Sequence, residues 1–265
     1  MTTQFSRVRF IMTEPSHPGN VGSASRAIKT MGFQDLVLVA PKTPEITTQP
    51  EAIALASGAI DVLNSAPIVG TLDEALAPVT LAFALTARSR DLGPSVCDIR
   101  EAAQIAREHL GGHQEARVAL VFGTERSGLT NDQIGLCHRV CHIPANPEYS
   151  SLNVSQAMQL TAWEIRYALM QTLPAQTQGL PPPGRRPAST ESVLALLVHW
   201  QEALEAVEFL NPAYPKKLMP RMRHLFSRNN LTQDEVDMMR GVCTAMIQVA
   251  RFGPHKPLVP YPPQS

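Results

Sequence analysis

The residue types best suited to chemistry gather between Ile143 and Gln171, IPANPEYSSLNVSQAMQLTAWEIRYALMQ. An apolar strand end runs into a loop dense in Asn, Pro and Ser, and a long helix starts near Leu152. Asn146, Ser150, Ser151 and Asn153 offer several polar groups there, and helix geometry leaves the first backbone N–H groups without intrahelical partners. In α/β proteins this junction is where ligands are held. The same residues serve equally well as a capped connection, with Ser150 or Ser151 as N-cap.

Two further loops belong with this one because they too follow apolar runs. They are Glu14 to Arg26, and Leu85 to Arg90 together with Gly123 to Gly128. The common nucleotide fingerprints do not fit them. No G-x-G-x-x-G follows the first strand, and Gly123 to Gly128 has P-loop glycine spacing without the Lys-Ser/Thr, which argues against a nucleotide-dependent oxidoreductase or an ATPase. Cys137-His138-Arg139-Val140-Cys141-His142 suggests zinc, yet Cys141 and His142 fall on a predicted strand, where neighbours point to opposite faces. No metal site is expected.

The elements that must position these loops read as follows. Strands are predicted at Arg7 to Glu14, Leu36 to Ala40, Pro67 to Val69, Thr80 to Ala87, Arg117 to Phe122 and Arg139 to Pro144. Helices are predicted at Val21 to Met31, Glu51 to Ala59, Leu72 to Leu76, Cys97 to Leu110, Leu129 to Leu136 and Leu152 to Gln171. Gly19 and Gly22 bracket the start of the first helix, whose small residues suit close helix–sheet packing. In the last of these helices Val154, Ala157, Met158, Leu160, Thr161, Ile165 and Ala168 recur at helical spacing and are assigned to a buried face. Strands apolar on both faces, alternating with helices, predict an α/β fold with a mostly parallel sheet covered on both sides.

Leu173 to Ser189 holds five prolines and two glycines and reads as a linker. Three helices follow, Glu191 to Leu210, Lys216 to Arg228 and Thr232 to Phe252. The expected organisation is a catalytic unit over 1–172, a linker over 173–189, a helical and partly basic extension over 190–253, and a loose tail over 254–265. With 265 residues, 44% hydrophobic and 17% charged, the chain reads as folded and globular. No run of about eighteen apolar residues occurs, so no membrane span is expected. Four cysteines in a chain this long are no disulfide framework, which suits a reducing cytoplasm. Net charge is zero but sorted by segment. Residues 1–170 carry 13 Lys and Arg against 16 Asp and Glu, whereas 211–251 carry seven against three. The basic helix with Lys216, Lys217, Arg221, Arg223 and Arg228 is therefore the candidate phosphate-backbone surface, with Arg185 and Arg186 as possible extras.

Three ordered motifs, Asn20-Val21-Gly22-Ser23-Ala24-Ser25-Arg26, FGTERSGL at 122–129 and IPANPEYSSLNVSQA at 143–157, resemble those of the SPOUT-class RNA 2′-O-methyltransferases. The TARSR stretch at 86–90 and NPAYPKKLMPRMRHLFSR in the C-terminal part resemble the branch of that class that methylates the ribose of nucleotide 32 in the tRNA anticodon loop. The resemblance spans most of the chain. It implies a deep C-terminal trefoil knot, an exception to unknotted topology, and a homodimer acting on tRNA rather than DNA. It also implies an S-adenosylmethionine pocket formed by Leu85, Thr86, Ala87, Gly123, Glu125, Ile143, Ser150, Ser151 and Leu152. Arg26 is implied beside the reacting ribose, with Ser151 and Asn153 orienting hydroxyl and cofactor, and Asn20, Arg88 and Arg90 near RNA. A guanidinium normally stays protonated, so Arg26 is expected to hold a phosphate and polarise the 2′-hydroxyl, in its own or its partner's site. Thr124 stands where the family often has Arg. Methylation of another RNA, or RNA binding without catalysis, are the alternatives.

Overall fold

The long apolar runs all enter one sheet, and every neighbouring pair in it is parallel. The computed structural model describes residues 4–87, 94–171, 186–228 and 231–252, apart from the side chains of residues 227 and 228. In chain order the elements are β1 (Val8–Thr13), α1 (Pro18–Thr30), β2 (Asp35–Val39), α2 (Pro50–Ala56), α3 (Ile60–Ser65), β3 (Ile68–Val69), α4 (Leu72–Leu76), β4 (Leu81–Leu85) and β5 (Ser95–Asp98). They continue with α5 (Ile99–Gly112), β6 (Val118–Phe122), α6 (Asn131–Gly135), β7 (Arg139–His142), α7 (Val154–Met170), α8 (Thr190–Ala206), α9 (Leu218–Arg228) and α10 (Gln233–Phe252). The sheet order is β3-β2-β1-β6-β4-β7-β5, so the last strand in sequence lies inside the sheet, between β4 and β5.

Strand alternation sorts the core into two layers. Phe10, Phe83, Leu120 and Phe122 face α1, α5 and α7, where the larger layer of side chains sits. Ala82, Ala84, Ala119 and Val121 face the other way, toward the short helices α4 and α6. Gly22 has a different partner from the one expected. A Cβ there would strike the Ala52 carbonyl, so the small residues of α1 admit α2 rather than the sheet.

Several boundaries move. Cys97 and Asp98 belong to β5, not to the following helix. The Asp98 side chain accepts from the backbone N–H groups of Arg100 and Glu101, and Glu101 returns the bond, a capping box that starts α5 one residue later. Residues 60–65 form a helix the periodicity did not mark. β7 stops at His142. Helix α7 starts at Val154, capped by Asn153 rather than by Ser150 or Ser151. Leu160, assigned to its buried face, is 43% exposed.

The C-terminal helices have their own apolar centre, in which Val193, Leu196, Leu197, Ala203, Val236 and Cys243 are buried. Thr232 and Glu235 cap α10 reciprocally, as their spacing predicts. Just ahead of β4, the Thr190 N–H and hydroxyl both donate to the Val79 carbonyl, at 2.8 and 2.9 Å, and the Glu191 N–H donates to the Ala77 carbonyl at 3.4 Å, fastening α8 beside the sheet. No helix among the described residues is long and apolar enough to cross a membrane. Arg88, Arg90, Arg185, the side chain of Arg228, most of the 173–189 segment and the tail lie outside the described residues.

Candidate active site

Because β6, β4 and β7 are adjacent and parallel, the segments leaving their C-terminal ends converge at one edge of the sheet. They enclose a cleft of about 820 Å³, measured to its open mouth. All nine residues implied for the cofactor line it: Leu85, Thr86 and Ala87 after β4, Gly123 and Glu125 after β6, and Ile143, Ser150, Ser151 and Leu152 after β7. The Thr86 N–H donates to the Cys141 carbonyl at 3.0 Å, tying two of these exits together.

The segment after β6 is a closed turn. Thr124 and Gly128 pair as an isolated antiparallel bridge, and the Thr124 hydroxyl lies 2.7 Å from that of Ser127. Gly128 has φ +68°, which favours glycine, and a Cβ on Gly123 would collide with the Gly128 backbone. Thr124 thus shapes the turn through its hydroxyl, work that an Arg at this position would not do.

Glu125 is the centre of a polar chain joining three elements. Its carboxylate accepts from the Ser16 hydroxyl (3.0 Å), the Ser16 and His17 N–H groups (both 3.4 Å) and the Asn20 amide (3.2 Å). Partial burial opposes ionisation, but the hydrogen bonds from its own backbone, Asn20 and Ser16 outweigh it and hold the carboxyl below its ordinary value. The Asn20 carbonyl oxygen accepts from the Asn153 amide at 2.9 Å. Asn153 in turn accepts from the Ser155 N–H and hydroxyl, capping α7. An ionised carboxylate therefore fixes the start of α1 against the start of α7, beside the cleft.

Arg26 is not part of this cluster. It lies exposed on α1 and does not line the cleft of its own chain. Lys216, Lys217 and Arg221 are exposed and Arg223 half-buried, on and before α9. Arg223 reaches α6, its Cδ 4.0 Å from where a Gly135 Cβ would stand. Among the described residues no three His, Cys, Asp or Glu side chains gather as a metal site requires. Cys97 and Cys141 are register partners on β5 and β7, and their mutual hydrogen bond, with burial, keeps the Cys141 thiol protonated. The cleft is also lined by Phe122, Thr124, Arg126, Ser127, Gly128, Val154 and Ala157, which lie inside the quoted motifs but were not individually assigned to the cofactor. Their place in those motifs was the available signal.

With this geometry in view, comparison with known proteins is informative. Residues 7–163 match the SpoU rRNA Methylase family, and residues 191–255 match the C-terminal domain of tRNA methyltransferase TrmJ. A relative in Pseudomonas aeruginosa (strain UCBPP-PA14), named tRNA (cytidine/uridine/adenosine-2′-O-)-methyltransferase TrmJ, is 38% identical over 92% of this chain and 95% of its own. The crystal structure of TrmJ from Z. mobilis ZM4 aligns at a TM-score of 0.76 with 30% identity, over 90% of this chain and 98% of that one. A probable methyltransferase from Bordetella pertussis Tohama I is 73% identical, with a TM-score of 0.62, over 64% of this chain and all of that one. The chain belongs to the SpoU methylase family and, within it, to the TrmJ branch.

Proposed function

We propose that this protein methylates the ribose 2′-oxygen of tRNA, at nucleotide 32 of the anticodon loop, with S-adenosylmethionine as methyl donor. The observation that carries the reading is the cleft, where three strand ends bring all nine implied cofactor residues together beside the Glu125–Asn20–Asn153 chain. Its lining fits the donor: Leu85, Ile143, Leu152 and Val154 are apolar, while Ser150, Ser151 and the turned 123–128 backbone supply polar groups. S-adenosylmethionine supplies a methyl group already activated on sulfonium, so placement and proton removal remain for the protein. Ser151 and Asn153 orient the 2′-hydroxyl. Arg26 holds a substrate phosphate and polarises that hydroxyl, and since it does not line its own cleft, it serves the site of a second subunit.

That second subunit is part of the proposal. Leu160, Trp163, Tyr167 and Met170 recur at three- and four-residue intervals on α7 and are 43–61% exposed, which is the seam spacing of a helix pair. The knot implied by the resemblance, residence in the cytoplasm, and a catalytic unit over 1–172 with a tRNA-binding extension over 190–253 complete the reading.

Purified protein, labelled S-adenosylmethionine and unmodified tRNA transcripts test it. Ribose methylation at nucleotide 32, abolished by 2′-deoxyribose there, is expected. Cofactor binding without transfer to any tRNA would overturn it. Trp163→Glu should yield monomers in sedimentation. Mixing the inactive Arg26→Ala and Ser151→Ala variants should restore about a quarter of wild-type activity, because half the dimers then hold one intact composite site. No restoration would put Arg26 in its own subunit's site.

A further inference from the structure

Two side chains at the mouth of the cleft have no role in the scheme above. Tyr149 immediately precedes the lining residues Ser150 and Ser151 and is 80% exposed. Its backbone is held, since its N–H donates to the Asn146 carbonyl at 2.9 Å and the Asn146 side chain accepts from the Glu148 N–H at 3.1 Å. Among the described residues no aromatic ring packs against it. Arg126 lines the cleft from the other loop, exposed and in no ion pair among the described residues. Its neighbour Glu125 has the opposite arrangement, with its carboxylate tied to Ser16 and Asn20. Two adjacent, oppositely charged residues are thus separated, the acid committed to the scaffold and the base left at the opening.

An aromatic face on one loop and a free guanidinium on the other suit a single chemical class. An unstacked nucleotide offers a base to the ring and a phosphate to the guanidinium. The geometry points to Tyr149 and Arg126 as the pair that holds the target nucleotide, Tyr149 by stacking on its base and Arg126 by taking a flanking phosphate. This inference rests on the reading of the cleft as an RNA ribose methyltransferase site. Because every base has a π-face, a stacking ring holds the nucleotide without choosing its identity.

The test uses the full-length protein and a tRNA transcript whose methylated nucleotide has been mapped. Tyr149→Ala should lower kcat/KM roughly 10- to 100-fold, the range of one base–aromatic stack, while Tyr149→Phe stays within about two-fold of wild type. S-adenosylmethionine affinity should be unchanged in both. On a transcript with an abasic ribonucleotide at the mapped position, wild type and Tyr149→Ala should become equal, because no base remains to stack. Arg126→Gln should reduce the slope of log affinity against log salt by about 0.7, as loss of one single-strand phosphate contact requires. Full activity of Tyr149→Ala, a deficit persisting on the abasic substrate, or a parallel loss of cofactor affinity would each overturn the stacking role. An unchanged salt slope would overturn the phosphate role. If wild type methylates no tRNA, the functional reading fails and this inference with it. If wild type transfers methyl and Tyr149→Ala matches it, this inference alone fails.

Discussion

The cleft edge of the sheet and the C-terminal helices handle charge in opposite ways. At the cleft, the acidic group is consumed internally, with Glu125 spending its acceptor capacity on α1 while α7 is bound through Asn20 and Asn153. Around α9, Lys216, Lys217, Arg221 and Arg223 form no ion pair among the described residues, and their unit encloses only a thin apolar centre. Charge that holds geometry at the cleft is engaged at short range, whereas the basic charge around α9 is left available to solvent. The difference should appear in experiment as a site sensitive to small structural changes and a surface sensitive to salt.

The largest effect is expected in the sheet. Phe83→Ala removes a fully buried ring from the centre of the larger layer and should cost about 3–5 kcal/mol in chemical denaturation, with cofactor binding lost alongside. Leu196→Ala, in the C-terminal centre, should cost about 2–4 kcal/mol locally and weaken tRNA binding before cofactor binding. Equal loss of both ligands in both variants would erase the distinction between the two regions.

Acid should act next. Burial holds His109 and His138 neutral, pushing each from 6.5 down to about 4, with Thr80 on the His109 ring and the Ala82 N–H donating to the His138 ring. Their folded values are depressed, so their contribution is complete above pH 6.5 and drains away between pH 6.5 and 4. The loss is on the order of 3 kcal/mol for each. Glu125, also depressed, adds a loss only below its ordinary value of 4.5. Thermal melts across pH 3.5–7.5 check this; a stability flat between 6.5 and 4.5 would contradict it. Glu125→Gln keeps the shape and removes the charge, and should cost about 1.5–3 kcal/mol of folding stability at pH 7. The smallest effect on stability belongs to Lys216→Glu, Lys217→Glu and Arg221→Glu combined. They should leave the melting temperature nearly unchanged, within about 0.5 kcal/mol, yet weaken tRNA binding at least about ten-fold and flatten its salt dependence. Intact affinity would remove α9 from the binding surface.

The sheet was legible because β4 and β6 are buried along their whole length and read as unbroken apolar runs, and β1 and β2 are interrupted only by the paired Arg9 and Asp35. β5 was not, since it is an edge strand paired only with β7, and Val96 is 60% exposed. Its clue lay in Asp98 and Glu101, whose capping-box spacing marks the helix start that the apolar pattern blurred. The cleft residues were legible through their motifs. The dependence of Asn20 on both Glu125 and Asn153 was not, because it links residues more than a hundred positions apart. The solvent-facing apolar side of α7 was hidden for another reason. Leu160 continues an apolar rhythm that, read alone, assigns it inward, and a helix apolar on two faces cannot be divided by periodicity.

The position of β7 also dictates the order in which the molecule can be completed. β5 has no sheet neighbour except β7, and β4 is paired on only one side until β7 arrives. A nascent chain emerging as far as residue 138 therefore carries an unpaired β4 edge and a β5 without a sheet neighbour, and open strand edges are features that recruit other chains. The sheet can seal only once Arg139–His142 has left the ribosome. A ribosome stalled before Arg139 should hold a chaperone-dependent, protease-sensitive intermediate, while one stalled well beyond Met170 should not.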